Sequence, residues 1–334
     1  MALSLSQNSI FLSSIELLPT EVLILIFSKI DWRNLFNIKK VCKVFYTVIE
    51  NNLKFLQKPR LRKLLINSIT ENDNICKTIF TFEYDKNKKI SINNFNVNLS
   101  KTEKKIYEVE YLLGKMDFDN IDEININIHG NTIIFDILNC HLPSNLKIEE
   151  LHIKIKNSPI FEGFIKFIEK IKYLNTMNLK HLCFGGQKIP FNYIFPKING
   201  IEQLYVKECS KTKFFNIKMF ENLFFSSENL SQFAIFSEIM NIEFSVIDAI
   251  RKKQDFEHKE KCKQVYYSIV LPYRIAMYTF EKLKNHYKEN TLTFDEDLKI
   301  HDSIYVSTEC RKCQTVDYIH FVYYRPEFYW ESCC

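Results

Sequence analysis

The residue types best suited to chemistry cluster late in the sequence. Cys310-Arg311-Lys312-Cys313 is a C-x-x-C pair, with His301, His320 and Cys333-Cys334 on either side. A zinc site needs four ligands in tetrahedral array. These spacings match no standard finger, so ordinary thiols are expected, and no metal. A redox role for the pair is the weaker alternative. Cys333-Cys334 lacks the four-residue form of a C-a-a-X lipidation signal. Gly185-Gly186 is the one Gly pair and reads as a turn, not a phosphate loop. No G-x-S-x-G or H-E-x-x-H occurs. His152 and His181 lie inside strand-like pieces, where a surface or partly buried role is expected. No acid, base and nucleophile assemble into a set, so no catalytic residue and no cofactor are expected.

Composition sets the class. Of 334 residues, 46% are hydrophobic and 25% charged, which is globular and not disordered. The 29 Phe and 17 Tyr supply much of the apolar volume. Lys and Arg number 45 against 40 Asp and Glu, a net +5, too mild for a dedicated nucleic-acid binder. The ten Cys are irregularly spread, and residues 1–14 lack a basic n-region. The longest apolar run, Val22 to Phe27, is far too short to span a bilayer. A reducing cytosol or nucleus, with no membrane partner, is the expected setting.

The elements follow from periodicity. Residues 1–14 read as a disordered tail and 15–55 as a compact helical unit. Residues 56–115 read as a connector holding a hairpin, Thr78 to Tyr84 and Lys89 to Asn93, and an amphipathic helix, Lys101 to Leu113. From 116 to 334 short strands recur at Ile124–Ile128, Glu150–Ile155, Leu179–Phe184, Gln203–Lys207 and Ser231–Phe236. Helical pieces lie between at Ile133–Asn139, Phe161–Ile171, Lys218–Phe225 and Val246–Lys252. Ser303–Ser307 and Tyr318–Tyr324 are two more strands that extend or cap the set. The charge run over 252–264 reads as a solvated helix face or loop. Each strand–helix unit is too small to cover its own apolar face, so stacking is expected. Leu151, Leu182, Leu204 and Phe233 are the equivalent anchors. The form apolar-x-x-apolar-x-apolar at 148–153, 179–184 and 201–206 resembles the strand of a leucine-rich repeat. The fold class expected is α+β, with a small helical unit followed by a leucine-rich-repeat-like region.

The helical unit carries the strongest signal. Pro19 suits a helix start, where its missing N–H is no loss. On a 3.6-residue wheel Val22, Leu23, Ile26, Phe27 and Ile30 share one face, while Ile24 and Leu25 lie off it. Asp31 is a suitable N-cap for a second helix. Val41, Val44, Phe45, Val48 and Ile49 repeat at helical spacing in a third. So short a unit is marginal alone, and its surplus apolar surface calls for a partner.

The ordered set over residues 17–46 resembles the F-box family. Leu18-Pro19 with Glu21 opens it, and Ile26-Phe27 and Ile30-Asp31 follow. Leu35 and then Val41-Cys42-Lys43 complete it, with Phe45 where the family often has Trp. The resemblance implies a Skp-family adaptor as partner, and through it a cullin scaffold and a RING subunit. Leu18, Pro19, Glu21, Leu25, Ile26, Leu35, Val41, Cys42 and Phe45 are the implied adaptor residues, with Val41, Cys42 and Phe45 near either the groove or the core. It further implies a non-catalytic receptor that holds a target protein while partner enzymes transfer ubiquitin. A scaffold or effector that binds the adaptor without supporting transfer is the rival. Strand alternation turns His152, His181, Tyr205 and Lys207 outward, with Cys183 beside His181, so this row is the expected target-binding face.

Overall fold

The structure is a computed structural model. It describes residues 15–71, 75–84, 88–96, 99–130, 133–187, 193–209, 214–236, 266–272, 292–297, 301–309 and 316–324, with scattered positions between. The expected tail at 1–14, the C-x-x-C pair and Cys333-Cys334 lie outside these. So does most of the 252–264 charge run.

Three helices come first: α1 (Thr20–Ser28), α2 (Trp32–Ile38) and α3 (Lys43–Asn51), followed by a 3-10 turn over Leu53–Phe55. They enclose a small core of their own, built on Leu23, Phe27, Leu35, Phe45, Val48, Ile49 and Leu56. Phe27 and Phe45 meet edge to face at 5.3 Å.

Beyond them the described residues build one 12-stranded mixed sheet with helices between its strands. Its strands are β1 (Leu61–Glu71), β2 (Ile75–Tyr84), β3 (Lys88–Asn96), β4 (Ile121–His129), β5 (Leu146–Lys156) and β6 (Ile171–Leu182). β7 (Gln203–Glu208), β8 (Gln232–Phe236), β9 (Tyr266–Pro272), β10 (Leu292–Asp297), β11 (His301–Glu309) and β12 (Val316–Tyr324) complete it. Between them lie α4 (Leu99–Lys115), α5 (Ile134–His141), α6 (Phe161–Glu169) and α7 (Ile217–Ser226). The spatial order is β10-β11-β12-β9-β8-β7-β6-β5-β4-β1-β2-β3. The block from β1 through β4–β9 to β12 is parallel. Antiparallel strands end it on both sides: β2 and β3 beyond β1, and β11 and β10 beyond β12. Overall the chain is α+β. The stretch 56–115, expected as a connector, supplies β1–β3 and α4 to this sheet.

The same apolar triad recurs in each unit. Leu61, Leu64 and Ile66 open the series on β1, and Ile121, Ile124 and Ile126 follow on β4. Ile148, Leu151 and Ile153 take the place on β5, and Leu174, Met177 and Leu179 on β6. Ile201, Leu204 and Val206 lead into and along β7, and Leu230, Phe233 and Ile235 do so for β8. All are buried. Lateral pairing locks Ile124, Leu151, Met177, Leu204 and Phe233 in one line, in steps of 27, 26, 27 and 29 residues. The anchor expected at Leu182 is therefore corrected to Met177. The segment 179–184 carries the same apolar spacing but has a bulge inside it. Ile153 pairs with Leu179 but Lys154 with His181, so β6 holds one extra residue.

The helices cover the triad face. α5 buries Ile134, Phe135, Ile137 and Leu138, and α6 buries Phe161, Phe164, Ile165, Phe167 and Ile168. α7 is capped by Asn216, whose Oδ1 accepts from the Met219 amide at 2.8 Å. Phe161, Phe164, Phe184 and Phe214 meet as a ring cluster with centroids 5.3 to 6.0 Å apart. Lys253, from the expected solvated charge run, is buried instead. Its Nζ donates to the carbonyls of Phe224 at 3.2 Å and Ser227 at 2.8 Å, satisfying the C-terminal end of α7. Gly185 and Gly186 form a turn with positive φ, as expected.

Gly200 enters β7 at φ 82, and a Cβ there would overlap the Tyr173 ring. Gly200→Ala should cost about 1–3 kcal/mol in chemical denaturation. Adding Tyr173→Ala should recover part of that loss, because the overlap goes but the left-handed backbone stays. An unchanged unfolding midpoint for Gly200→Ala would refute this account.

Candidate functional site

Two surfaces stand out: the outer face of the helical unit, and the sheet face away from the helices.

On α1 the faces differ from the wheel reading. Leu23 and Phe27 are buried, and Ile24 and Ile30 pack against them. Val22, Leu25 and Ile26 point outward instead, one helical stripe at i, i+3 and i+4. Leu25 is 66% exposed and Leu17 84%. Pro19 and Glu21 are exposed, and Leu18 is half-buried against the core. Val41, 52% exposed, tops the α2–α3 loop. Phe36, Val44, Tyr46 and Phe55 add exposed apolar surface from the other helices. Leu35 and Phe45, expected to meet the adaptor, are corrected: they are 4% and 5% exposed and hold the helices together from inside. Leu23 and Phe27 take the core-facing side of α1, with Phe27 against Phe45 of α3, and Val22 and Ile26 stay outside.

Local chemistry fixes this unit. Asp31 caps α2, its carboxylate accepting from the Arg33 amide at 2.9 Å, as expected. Cys42 is the N-cap of α3, with its Sγ accepting from the Phe45 amide at 3.5 Å. A sulfur cap is weaker than Ser or Asp, but it lets the same side chain pack partly against the core.

The unit is fastened to the sheet. Glu50 of α3 pairs with Lys39 of the α2–α3 loop. From α4 it accepts Tyr111 Oη at 2.9 Å and Lys115 Nζ at 3.1 Å. Burial pushes the Glu50 carboxyl up, but hydrogen bonds from Lys39, Tyr111 and Lys115 outweigh it, so it titrates below its ordinary value. Burial, and then Glu50, push the Tyr111 phenol up to about 12. The linker is strapped down as well. The Asp117 amide donates to Pro59 O at 2.9 Å, the Leu61 amide to Asp117 O at 2.8 Å, and Lys58 Nζ to Gly114 O at 2.9 Å. Trp32 meets Tyr84 of β2 edge-on at 5.6 Å.

The open sheet face is polar in lateral rows. One row runs Asn125, His152, Asn178, Tyr205 and Ala234. His152 Nε2 lies 3.1 Å from a Glu150 oxygen. In the neighbouring row Lys63 Nζ bonds Glu123 at 2.9 Å. Burial pushes the Glu123 carboxyl up, and Lys63 more than reverses this, so it too titrates low. Tyr205 packs on Phe236 at 5.3 Å. His181 and Cys183 are corrected: His181 is 4% exposed and Cys183 1%. The register of β6 on β5 sets Asn178 beside His152, while His181 lies further along and pairs with Lys154 beyond the bulge. Sequence alternation could have found Asn178 had the triad been placed at 174–179. Lys207 pairs with Phe236, away from His152.

Among the described residues no group of His, Cys, Asp and Glu could hold a metal ion. Among them, no helix is long and apolar enough to cross a membrane. Cys42, Cys140, Cys183 and Cys209 are free thiols.

No curated protein and no solved structure matches the chain. Residues 15–61 match the family described as F-box-like. The chain carries an N-terminal F-box-like domain, as an F-box protein does.

Proposed function

We propose that this chain is the substrate receptor of a Skp-cullin-F-box ubiquitin ligase. The observation that carries this reading is the outward stripe Val22, Leu25 and Ile26 with Val41, on a unit whose core is already complete without them. Apolar side chains left in water in such number favour a partner surface. A Skp-family adaptor takes that surface, contacting Pro19, Glu21, Leu25, Ile26 and Val41, with Leu18 and Cys42 supporting from half-buried positions. The cullin is reached only through the adaptor. The chain itself performs no chemistry. It holds a target protein near the charged enzyme, which raises the target's local concentration there. The sheet behaves as a leucine-rich-repeat-like stack, and its open face takes the target through His152, Asn178 and Tyr205, with Lys207 at its margin. The setting is cytosolic or nuclear, and target capture feeds proteasomal degradation.

Leu25→Asp with Val41→Asp places charge on the adaptor surface without touching the core. Adaptor binding should fall about a hundredfold or more, because two charges would be buried in an apolar contact. Circular dichroism and the unfolding midpoint should hold. Unweakened co-purification with the adaptor would overturn the reading, whereas adaptor binding without cullin recruitment would favour a scaffold.

His152, Asn178 and Tyr205 changed together to Ala should weaken capture of a target, identified by proximity labelling, about tenfold or more. Adaptor binding should stay intact. Undiminished capture by the folded triple variant would move the target site off this face.

A further inference from the structure

One carboxylate holds together two parts that the domain division separates. Glu50 pairs with Lys39 of the α2–α3 loop on one side and with Tyr111 and Lys115 of α4 on the other. Its side chain is only 14% exposed, so these bonds act at reduced dielectric. Lys39 also lies over the rings of Phe36 at 5.6 Å and Tyr46 at 5.3 Å, both on the exposed apolar surface. Lys115 sits 3.7 Å from the Tyr111 ring centroid, so the α4 half of the cluster is braced in turn. The loop that Lys39 belongs to has few bonds of its own. The Lys40 amide donates to Asn37 O and the Val41 amide to Ile38 O, each at 3.0 Å. The Lys39 amide adds a bond to Leu35 O at 3.0 Å, Lys40 Nζ lies over the Phe36 ring at 4.5 Å and Cys42 packs on the small core, so the Glu50 pair is one restraint among a small set.

We propose that Glu50 is a positioning residue that couples the order of the α2–α3 loop to the docking of the helical unit on the sheet. Tyr111 and Lys115 act on the loop through Glu50, although they belong to the sheet's first helix. Removing them leaves the Glu50 carboxylate buried with one of these three partners, and its hold on Lys39 loosens. The loop then samples more conformations, and the apolar surface around Val41 loses its fixed shape. A surface that must be ordered at the moment of binding binds more weakly. The adaptor consequence rests on the function proposed above, but the loop consequence does not.

Amide hydrogen exchange on the full chain, without any partner, tests this. Tyr111→Phe with Lys115→Ala should speed exchange at Lys40 and Val41 about tenfold or more, as loss of hydrogen bonds to a charged group implies. Glu50→Gln should do the same. Exchange at Ile153, in the middle of the sheet, should not change, which separates the coupling from general destabilisation. Lys58→Ala, which cuts the linker strap but not the cluster, should leave Lys40 and Val41 slow. Unchanged loop exchange in both cluster variants would overturn the proposal, as would equal acceleration at Ile153. In a second arm, adaptor affinity by calorimetry should fall about tenfold in Tyr111→Phe/Lys115→Ala, with the exposed apolar residues untouched. A wild-type chain that does not bind adaptor would sink the receptor reading while the exchange result still decides the coupling.

Discussion

The lateral register of the parallel strands constrains everything else in the sheet. Each strand from β1 to β8 in the parallel block presents an apolar triad to the helices, and each triad lies beside the next. A slip of one residue would turn a whole triad to solvent and bring polar side chains against α5, α6 and α7. No unit can satisfy its own triad, because one strand and one helix enclose too little volume. Stability is thus a property of neighbours, and the ends need other solutions. Here antiparallel strands close both ends: β2 and β3 beyond β1, and β11 and β10 beyond β12. The same register builds the open face. Once Leu151, Met177 and Leu204 are fixed inside, His152, Asn178 and Tyr205 must stand in line outside.

The helical unit follows a different logic. It has a complete small core, yet α1 is apolar on two sides. One side, Leu23 and Phe27, meets α3; the other, Val22, Leu25 and Ile26, meets water. Stability alone does not need the second side, and solubility is harmed by it. The F-box-like match over residues 15–61 fits the proposal that this surplus is surface for a partner. Asp31 and Cys42 fix where α2 and α3 begin, and so fix where Val41 stands.

Between the two parts sits a charged junction at Glu50. Its carboxylate titrates low, so its contribution to docking is complete above the ordinary carboxylate value. That contribution is lost as pH falls through the lowered one. A tether of Lys58, Pro59 and Leu61 bonded along the α4–β4 turn limits how far the unit could swing even then.

By itself the sequence determined the kinds of element and the identity of the N-terminal unit. Leu18-Pro19 through Phe45 is a local pattern, and caps and helical periodicity are local physics. The hairpin of β2 and β3, the alternation of strands and helices, and the late strands β11 and β12 were legible for the same reason. β1 was missed, because a basic connector with Pro59 hides the start of the strand at Leu61. Only the tertiary structure decided which apolar residues are inside. Leu35 and Phe45 went to the core and Ile26 to the surface, since the wheel cannot say which of two apolar stripes finds a neighbour. The β6 bulge is likewise invisible locally: 174–179 and 179–184 carry the same apolar spacing, and only pairing with β5 and β7 selects the first. That choice buried His181 and brought Asn178 beside His152. The Glu50 cluster joins residues some sixty positions apart, and no local pattern predicts such a contact.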